Sequence, residues 1–300
     1  MKDAIEIENL VKIYNKKIYA LKGINLKIDK GVFGLVGPNG AGKTTLMRIM
    51  TGILKPTKGR VSIFGFDSWK NRDKITKFIG YLPQEFGFYP ELTVYEILDY
   101  IAILRRVSDS KRRKKLIENS LEVVGLSDKS KLKIKALSGG MKQRLGLAQA
   151  ILCEPEILII DEPTAGLDPQ ERVNFRIKLS EMSKNSMIIL STHIIEDISL
   201  TATRMAILLN GEIKFLGKPE ELIYEAKDRV FNIKINKEDY EIYKNKYEIL
   251  SFKDEGNKIN LKIIAEKPLD FFTPVEPTLE DAYIFFLKKE NEKNNNFINH

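Results

Sequence analysis

The chain is nearly without the residues that crosslink folds or bind transition metals. Its 300 residues include one cysteine, Cys153, and two histidines, His193 and His300. One cysteine excludes an internal disulfide, so the stapled frameworks of small secreted domains do not apply. Cys153 is expected to be a small buried apolar residue. No cluster of His and Cys offers a zinc site, and His300 is given no metal role. Long apolar runs are also missing. The longest, such as Met205–Leu209, fall well short of the ~20 residues that cross a bilayer. No signal peptide is expected, because the first residues enter a strand pattern at Ile5, Ile7, Leu10, Val11 and Ile13.

The composition supports a folded enzyme-sized chain. Apolar residues make up 43%, enough for a sizeable core, and the length suits one large α/β domain with a small second one. The net charge of +8 is unevenly placed. Residues 1–150 hold 29 Lys/Arg against 14 Asp/Glu, a net of +15; residues 151–300 hold 20 against 27, a net of −7. The densest cations are Arg105, Arg106 and Lys111 to Lys115. Anionic headgroups, nucleic acid or a plain solvated helix face would each account for them.

Residues 37–45, Gly-Pro-Asn-Gly-Ala-Gly-Lys-Thr-Thr, form a G-x-x-x-x-G-K-[ST] phosphate-binding loop. An apolar strand pattern (Val32 to Val36) precedes it and a helical one (Leu46, Met47, Ile49, Met50) follows, which is the context the motif requires. Gly37, Gly40 and Gly42 let the backbone turn its N–H groups inward. With Pro38, Asn39, Ala41 and Thr45 they make a cradle for a polyphosphate at a helix N-terminus. Lys43 is suited to the β- and γ-phosphates and Thr44 to Mg²⁺.

A second motif, Glu156 to Glu162, reads as a buried strand ending in two carboxylates. Ligands of α/β folds bind beyond the carboxyl ends of such strands. Asp161 is therefore a candidate Mg²⁺ ligand. Glu162 is a candidate general base for the attacking water.

Leu137-Ser138-Gly139-Gly140-Met141 lies between these motifs. Ser138 can cap the helix that follows, and the two glycines allow close approach to a phosphate. In that order the three motifs resemble the ATP-binding cassette (ABC) ATPases over residues 4–225. The resemblance implies an α/β phosphate-loop cassette with an N-terminal antiparallel β part and a helical signature subdomain at about 85–150. It also implies roles for further residues. Gln84 resembles the glutamine that senses Mg²⁺ and the γ-phosphate, and His193 the switch histidine. Tyr14 resembles the aromatic that stacks on adenine. Ala165-Gly166-Leu167-Asp168 resembles the loop at the dimer interface. In this family the signature loop, here Ser138, Gly139 and Gly140, closes over ATP held by a second chain, so two ATP molecules are sandwiched head to tail; the resemblance also implies a nucleotide-binding role for Asp168.

Residues 226–290 are expected to form a small α+β domain. Val230 to Ile235 alternates as a strand, Ile249–Phe252 and Lys258–Ile264 suit a hairpin, and Thr278 suits the N-cap of a final helix. Residues 291–300 are polar and expected to be a disordered tail. The Pro277-Thr278-Leu279-Glu280-Asp281-Ala282-Tyr283 stretch resembles the tails of drug and antibiotic exporter ATPases.

The implied function is an ATP-hydrolysing subunit of an ABC exporter. Its cofactors would be ATP and Mg²⁺. Its partners would be a second ATPase subunit and separate membrane permeases at the cytoplasmic face, with no nucleic acid expected. Two other readings compete. A soluble ABC ATPase acting on nucleic acid or the ribosome would usually need long coiled-coil arms or a second cassette, and neither is found. A non-enzymatic nucleotide sensor would be expected to lose Glu162 or a signature residue.

Overall fold

A computed structural model describes residues 4–164 and 167–298, with side chains described through Lys293. Ala165, Gly166 and His300 lie outside the described residues. Two compact units divide between Leu216 and Gly217.

The first unit opens with β1 (Ile5–Tyr14) and β2 (Ile18–Ile28), followed by β3 (Val32–Val36) and α1 (Lys43–Met50). Then come β4 (Lys58–Ile63), β5 (Phe66–Asp67), α2 (Arg72–Ile75) and β6 (Ile79–Leu82). The helical stretch contains α3 (Val94–Leu104), α4 (Ser110–Val124) and α5 (Gly139–Ile151). The chain returns through β7 (Ile157–Asp161), α6 (Pro169–Met182), β8 (Met187–Thr192), α7 (Glu196–Ser199), β9 (Arg204–Leu209) and β10 (Glu212–Gly217).

Two sheets result. One is antiparallel in the order β2-β1-β4-β5; the other has six strands in the order β10-β9-β3-β8-β7-β6. Strands β6, β7, β8, β3 and β9 run parallel. Every residue of β3, β7 and β8 is buried, as continuous Val/Ile/Leu runs require when a strand is covered on both faces. A single core joins the two sheets around α1. Leu46, Met47, Ile49 and Met50 are fully enclosed in it, with Ile5, Leu21, Leu35, Ile159 and Ile189. Asn210 and Gly211, at φ 51° and 82°, make the tight turn between β9 and β10, as a two-residue hairpin needs.

Caps fix the helical stretch. Thr93 and Glu96 close a capping box at the start of α3. Asp109 caps α4, and Gly125 ends it at φ 67°, where a side chain would be strained. Two cations of the basic cluster are structural. Arg105 donates to the carbonyls of Thr76 and Ile79. Arg113 pairs with Asp99 at 2.7 Å and donates to the carbonyls of Val107 and Ser108. Cys153 is only half-buried, and burial pushes its thiol pKa up.

The second unit comprises α8 (Pro219–Glu225), β11 (Val230–Asn236), α9 (Tyr240–Lys246), β12 (Glu248–Asp254), β13 (Lys258–Ile264), β14 (Thr273–Pro274) and α10 (Leu279–Ile298). Its sheet has the order β12-β13-β11-β14. Phe231, Ile233 and Ile235 point into its core, while Lys234 is exposed. Two boundaries differ from expectation. The unit begins before the expected boundary at 225/226, because α8 packs against α10. The expected disordered tail at 291–300 is helical through Ile298. No Gly or Pro interrupts α10 there, and Lys293 pairs with Glu290 one turn back. Polar composition alone does not end a helix whose first turns are docked.

Candidate functional site

The parallel sheet gathers the candidate residues at one edge. The phosphate loop leaves the carboxyl end of β3, Gln84 follows β6, Asp161 ends β7 with Glu162 directly after it, and His193 follows β8. Strands β3, β8, β7 and β6 are successive neighbours, so motifs far apart in sequence emerge side by side, where α/β folds bind ligands.

The loop is built tightly at two of its three glycines. A Cβ on Gly37 would lie 2.2 Å from the carbonyl oxygen of Leu208. One on Gly42, at φ 110°, would lie 2.5 Å from the carbonyl oxygen of Ala20. Gly40 has open space but a φ of 80°, so its requirement is conformational. The Lys43 ammonium, only 4% exposed, donates to the carbonyls of Gly37 at 2.7 Å and Pro38 at 3.1 Å. It also forms an ion pair with Glu162 Oε1 at 3.1 Å.

Glu162 is the hub. Its Oε2 lies 2.9 Å from His193 Nδ1 and accepts from Gln84 Nε2 at 3.4 Å. The carboxylate thus meets a cation, an imidazole and an amide from three different segments. Its backbone is held at φ 49°, and its N–H donates to Ser191 O at 3.1 Å. A non-glycine residue in that region is uncommon and marks a constrained turn.

Asp161 is fully buried. Ser191, its register partner on β8, donates to Oδ1, while Oδ2 has no hydrogen-bond partner among the described residues. A buried carboxylate oxygen left unpaired is costly unless something else satisfies it. Tyr81, on β6, has its phenol pushed up to about 12, by burial first and the Asp161 charge second.

A cavity of about 280 Å³ opens here, with Asn39, Lys43, Thr44, Thr45, Gln84 and Glu162 among its walls. Tyr14 is close by, its hydroxyl 3.4 Å from Thr45 Oγ1, and Lys12 Nζ sits 5.2 Å from its ring centre. Pro38 is exposed and Ala41 buried. Ser138, Gly139, Gly140 and Asp168 do not line this cavity; nor do Tyr14, Gly37, Pro38 and Ala41, nor Asp161 and His193, which are joined to it through Ser191 and Glu162. Ser138 caps α5 by accepting from Met141 N at 3.2 Å. Asp168 caps α6 by accepting from Glu171 N at 2.8 Å. Gly140 lies against the Glu171 carboxylate. Sequence reasoning passed over two participants. Ser191 braces both Asp161 and Glu162, and Ala20 lines the cavity. A hydroxyl at the end of a buried strand beside the carboxylate strand was the available signal for Ser191.

Known proteins resolve the family. The profile described as ABC transporter matches residues 21–165. An uncharacterized ABC transporter ATP-binding protein, YxlF of Bacillus subtilis (strain 168), is 38% identical over 232 residues, covering 77% of this chain and 76% of YxlF. This chain belongs to the ABC transporter family. It is an ABC ATPase. The bacitracin transport ATP-binding protein BcrA of Bacillus licheniformis is 33% identical over 95% of this chain and 97% of BcrA. The dimeric structure of MJ0796, a bacterial ABC transporter cassette, superposes with a TM-score of 0.65 at 29% identity, covering 71% of this chain and 98% of MJ0796.

Proposed function

We propose that this ABC ATPase drives an exporter whose pore is formed by separate membrane subunits. The observation behind the catalytic part of this reading is the convergence of Lys43, Gln84 and His193 on one buried carboxylate, Glu162, at the mouth of a phosphate loop. Loop amides and the positive end of α1 bind the ATP phosphates. The γ-phosphate competes with Glu162 for the Lys43 ammonium, which leaves the carboxylate to accept a proton from the attacking water. His193 and Gln84 hold that carboxylate in direction. Thr44, Gln84 and the unpaired Oδ2 of Asp161 supply hard oxygen donors, a set that fits Mg²⁺. Bound there, Mg²⁺ would neutralise charge on the phosphates.

Ser138, Gly139, Gly140 and Asp168 do not line the cavity; Ser138 and Asp168 serve locally as the caps of α5 and α6. Their separation supports a head-to-tail dimer in which one chain's signature loop closes over ATP held by its partner. Such closure is driven by charge-assisted hydrogen bonds to phosphate and relaxes on hydrolysis. No described helix is long and apolar enough to cross a membrane. The assignment to the cytoplasmic face through membrane subunits is part of the proposal. Export rests on the tail resemblance at residues 277–283; the near full-length likeness to BcrA, a bacitracin transport ATP-binding protein, supports a transport role and includes the second unit. Co-expression with a neighbouring membrane protein, followed by ATPase assay of the purified complex in lipid, tests it. The expected result is co-purification with lipid-dependent turnover that Glu162→Gln abolishes. A chain that ignores the membrane protein but is stimulated by RNA or ribosomes overturns it.

A further inference from the structure

The proposed roles of Glu162 and His193 leave a third buried carboxylate beside them unused. Asp197, in α7, is 1% exposed. Its Oδ2 accepts from Thr164 Oγ1 and lies 3.2 Å from Thr192 Oγ1, whose single proton it shares with the Ile194 carbonyl at the same distance. Both threonines are buried, Thr164 at 2% and Thr192 at 1% exposure. They belong to the two segments that matter. Thr164 ends the Glu162-Pro163-Thr164 turn. Thr192 is the last residue of β8, directly before His193, and its Oγ1 also accepts from Ile194 N at 2.9 Å. One carboxylate oxygen therefore ties the turn bearing Glu162 to the turn bearing His193, behind the 2.9 Å contact of their side chains. From α6, Arg176 donates to the carbonyl of Glu196, the residue before Asp197, at 3.0 Å. The short helix is thus anchored from a third side.

The arrangement is costly for a merely structural link. Asp197 Oδ1 has no hydrogen-bond partner among the described residues, and a buried carboxylate with an unpaired oxygen is disfavoured. A neutral acceptor at this position would bond the threonines without burying a charge. A carboxylate accepts from both with charge assistance, so it holds them more stiffly.

We propose that Asp197 is a positioning residue for ATP hydrolysis. It fixes the Glu162 turn against the His193 turn, so the general base keeps the direction it needs toward the attacking water. The proposal rests on the assignment of Glu162 and His193 given above. A displacement of about 1 Å between groups that must be aligned can cost on the order of 10²-fold in rate. The effect belongs on the chemical step, since neither Asp197 nor the two threonines line the nucleotide cavity.

The test uses the full chain with Mg-ATP, measuring steady-state turnover, equilibrium ATP affinity and thermal melting together. Asp197→Ala is expected to lower kcat by about ten- to a hundredfold, with KM and ATP affinity within about twofold. Asp197→Asn, which keeps an acceptor oxygen but loses the charge, should recover only part of that loss. Thr164→Val removes one tie at nearly constant volume and should give a smaller fall in kcat. It carries the test if Asp197→Ala does not fold. Placed in a Glu162→Gln background, Asp197→Ala should lower the residual rate by less than about twofold, because it acts through Glu162. Folded Asp197→Ala or Thr164→Val chains with normal kcat, while Glu162→Gln is slow, overturn the positioning role alone. A kcat loss accompanied by an equal loss of ATP affinity also overturns it. Normal turnover by Glu162→Gln would instead remove the assignment on which the proposal stands.

Discussion

Gly37→Ala measures how closely the phosphate loop is built against the sheet. Its new Cβ would lie 2.2 Å from the Leu208 carbonyl oxygen, whereas close carbon–oxygen contacts are found at about 3.3 Å and beyond. Roughly 1 Å of movement is therefore needed. Leu208 lies in β9, which is paired to β3 through Val36 and Ile207, so the ladder resists and the loop must give way. The same movement displaces the Gly37 carbonyl that anchors the Lys43 ammonium at 2.7 Å. Misplacing an aligned group by about 1 Å costs on the order of 10²-fold, and overpacking adds about 1–3 kcal/mol of destabilisation. Gly40→Ala is the control. Nothing stands within 4 Å of its Cβ position, but its φ is 80°. It should cost about 1–2 kcal/mol of backbone strain and leave the loop anchored to β9. Calorimetric titration with ATP and thermal melting of both variants make the comparison. If Gly37→Ala keeps ATP affinity within about threefold of the parent and melts with it, the loop is looser than the contact implies and the reasoning fails.

Other substitutions probe separate parts. Lys43→Ala should weaken ATP binding and also leave the buried Glu162 carboxylate without its cation; unchanged affinity in a nucleotide titration would count against the phosphate-loop assignment. Ser138→Ala removes the cap of α5 and should cost about 1 kcal/mol in chemical denaturation. If the signature loop closes over a partner's ATP, it should also slow turnover without changing the affinity of one chain for ATP. Asp281→Ala removes an acceptor that serves Thr278 N at 2.8 Å and the Lys262 ammonium. The second unit should lose about 1–3 kcal/mol in hydrogen exchange or melting, while ATP affinity stays unchanged.

Much of this was legible in the chain before any coordinates. The phosphate loop, the strand ending at Asp161-Glu162 and the Ser138 cap are local signals, each needing only a short window of sequence. The Asn210-Gly211 turn and the Lys258–Ile264 strand were readable for the same reason. Residues whose role depends on strand register were not. Ser191 meets Asp161 because β7 and β8 pair at that rung, and no local pattern states that pairing. Thr164, Thr192 and Asp197 likewise meet only across three segments. The boundary before α8 was missed because it depends on a helix–helix contact with α10, far along the chain. The helical end of α10 was missed because a polar, Asn-rich stretch reads as frayed when docking of its first turns is not visible.

The central claim is that Glu162, held by Lys43, Gln84 and His193, is the base for ATP hydrolysis. Phosphate release by the full chain with Mg-ATP, compared between the parent and Glu162→Gln, tests it most directly. The substitution keeps the shape of the side chain and most of its hydrogen bonds but removes its charge and basicity. The account predicts undiminished ATP binding and turnover at least ~10²-fold slower, the lower bound for a positioned base and about 2.7 kcal/mol of barrier. Near-parental turnover in a variant that binds ATP normally would contradict it.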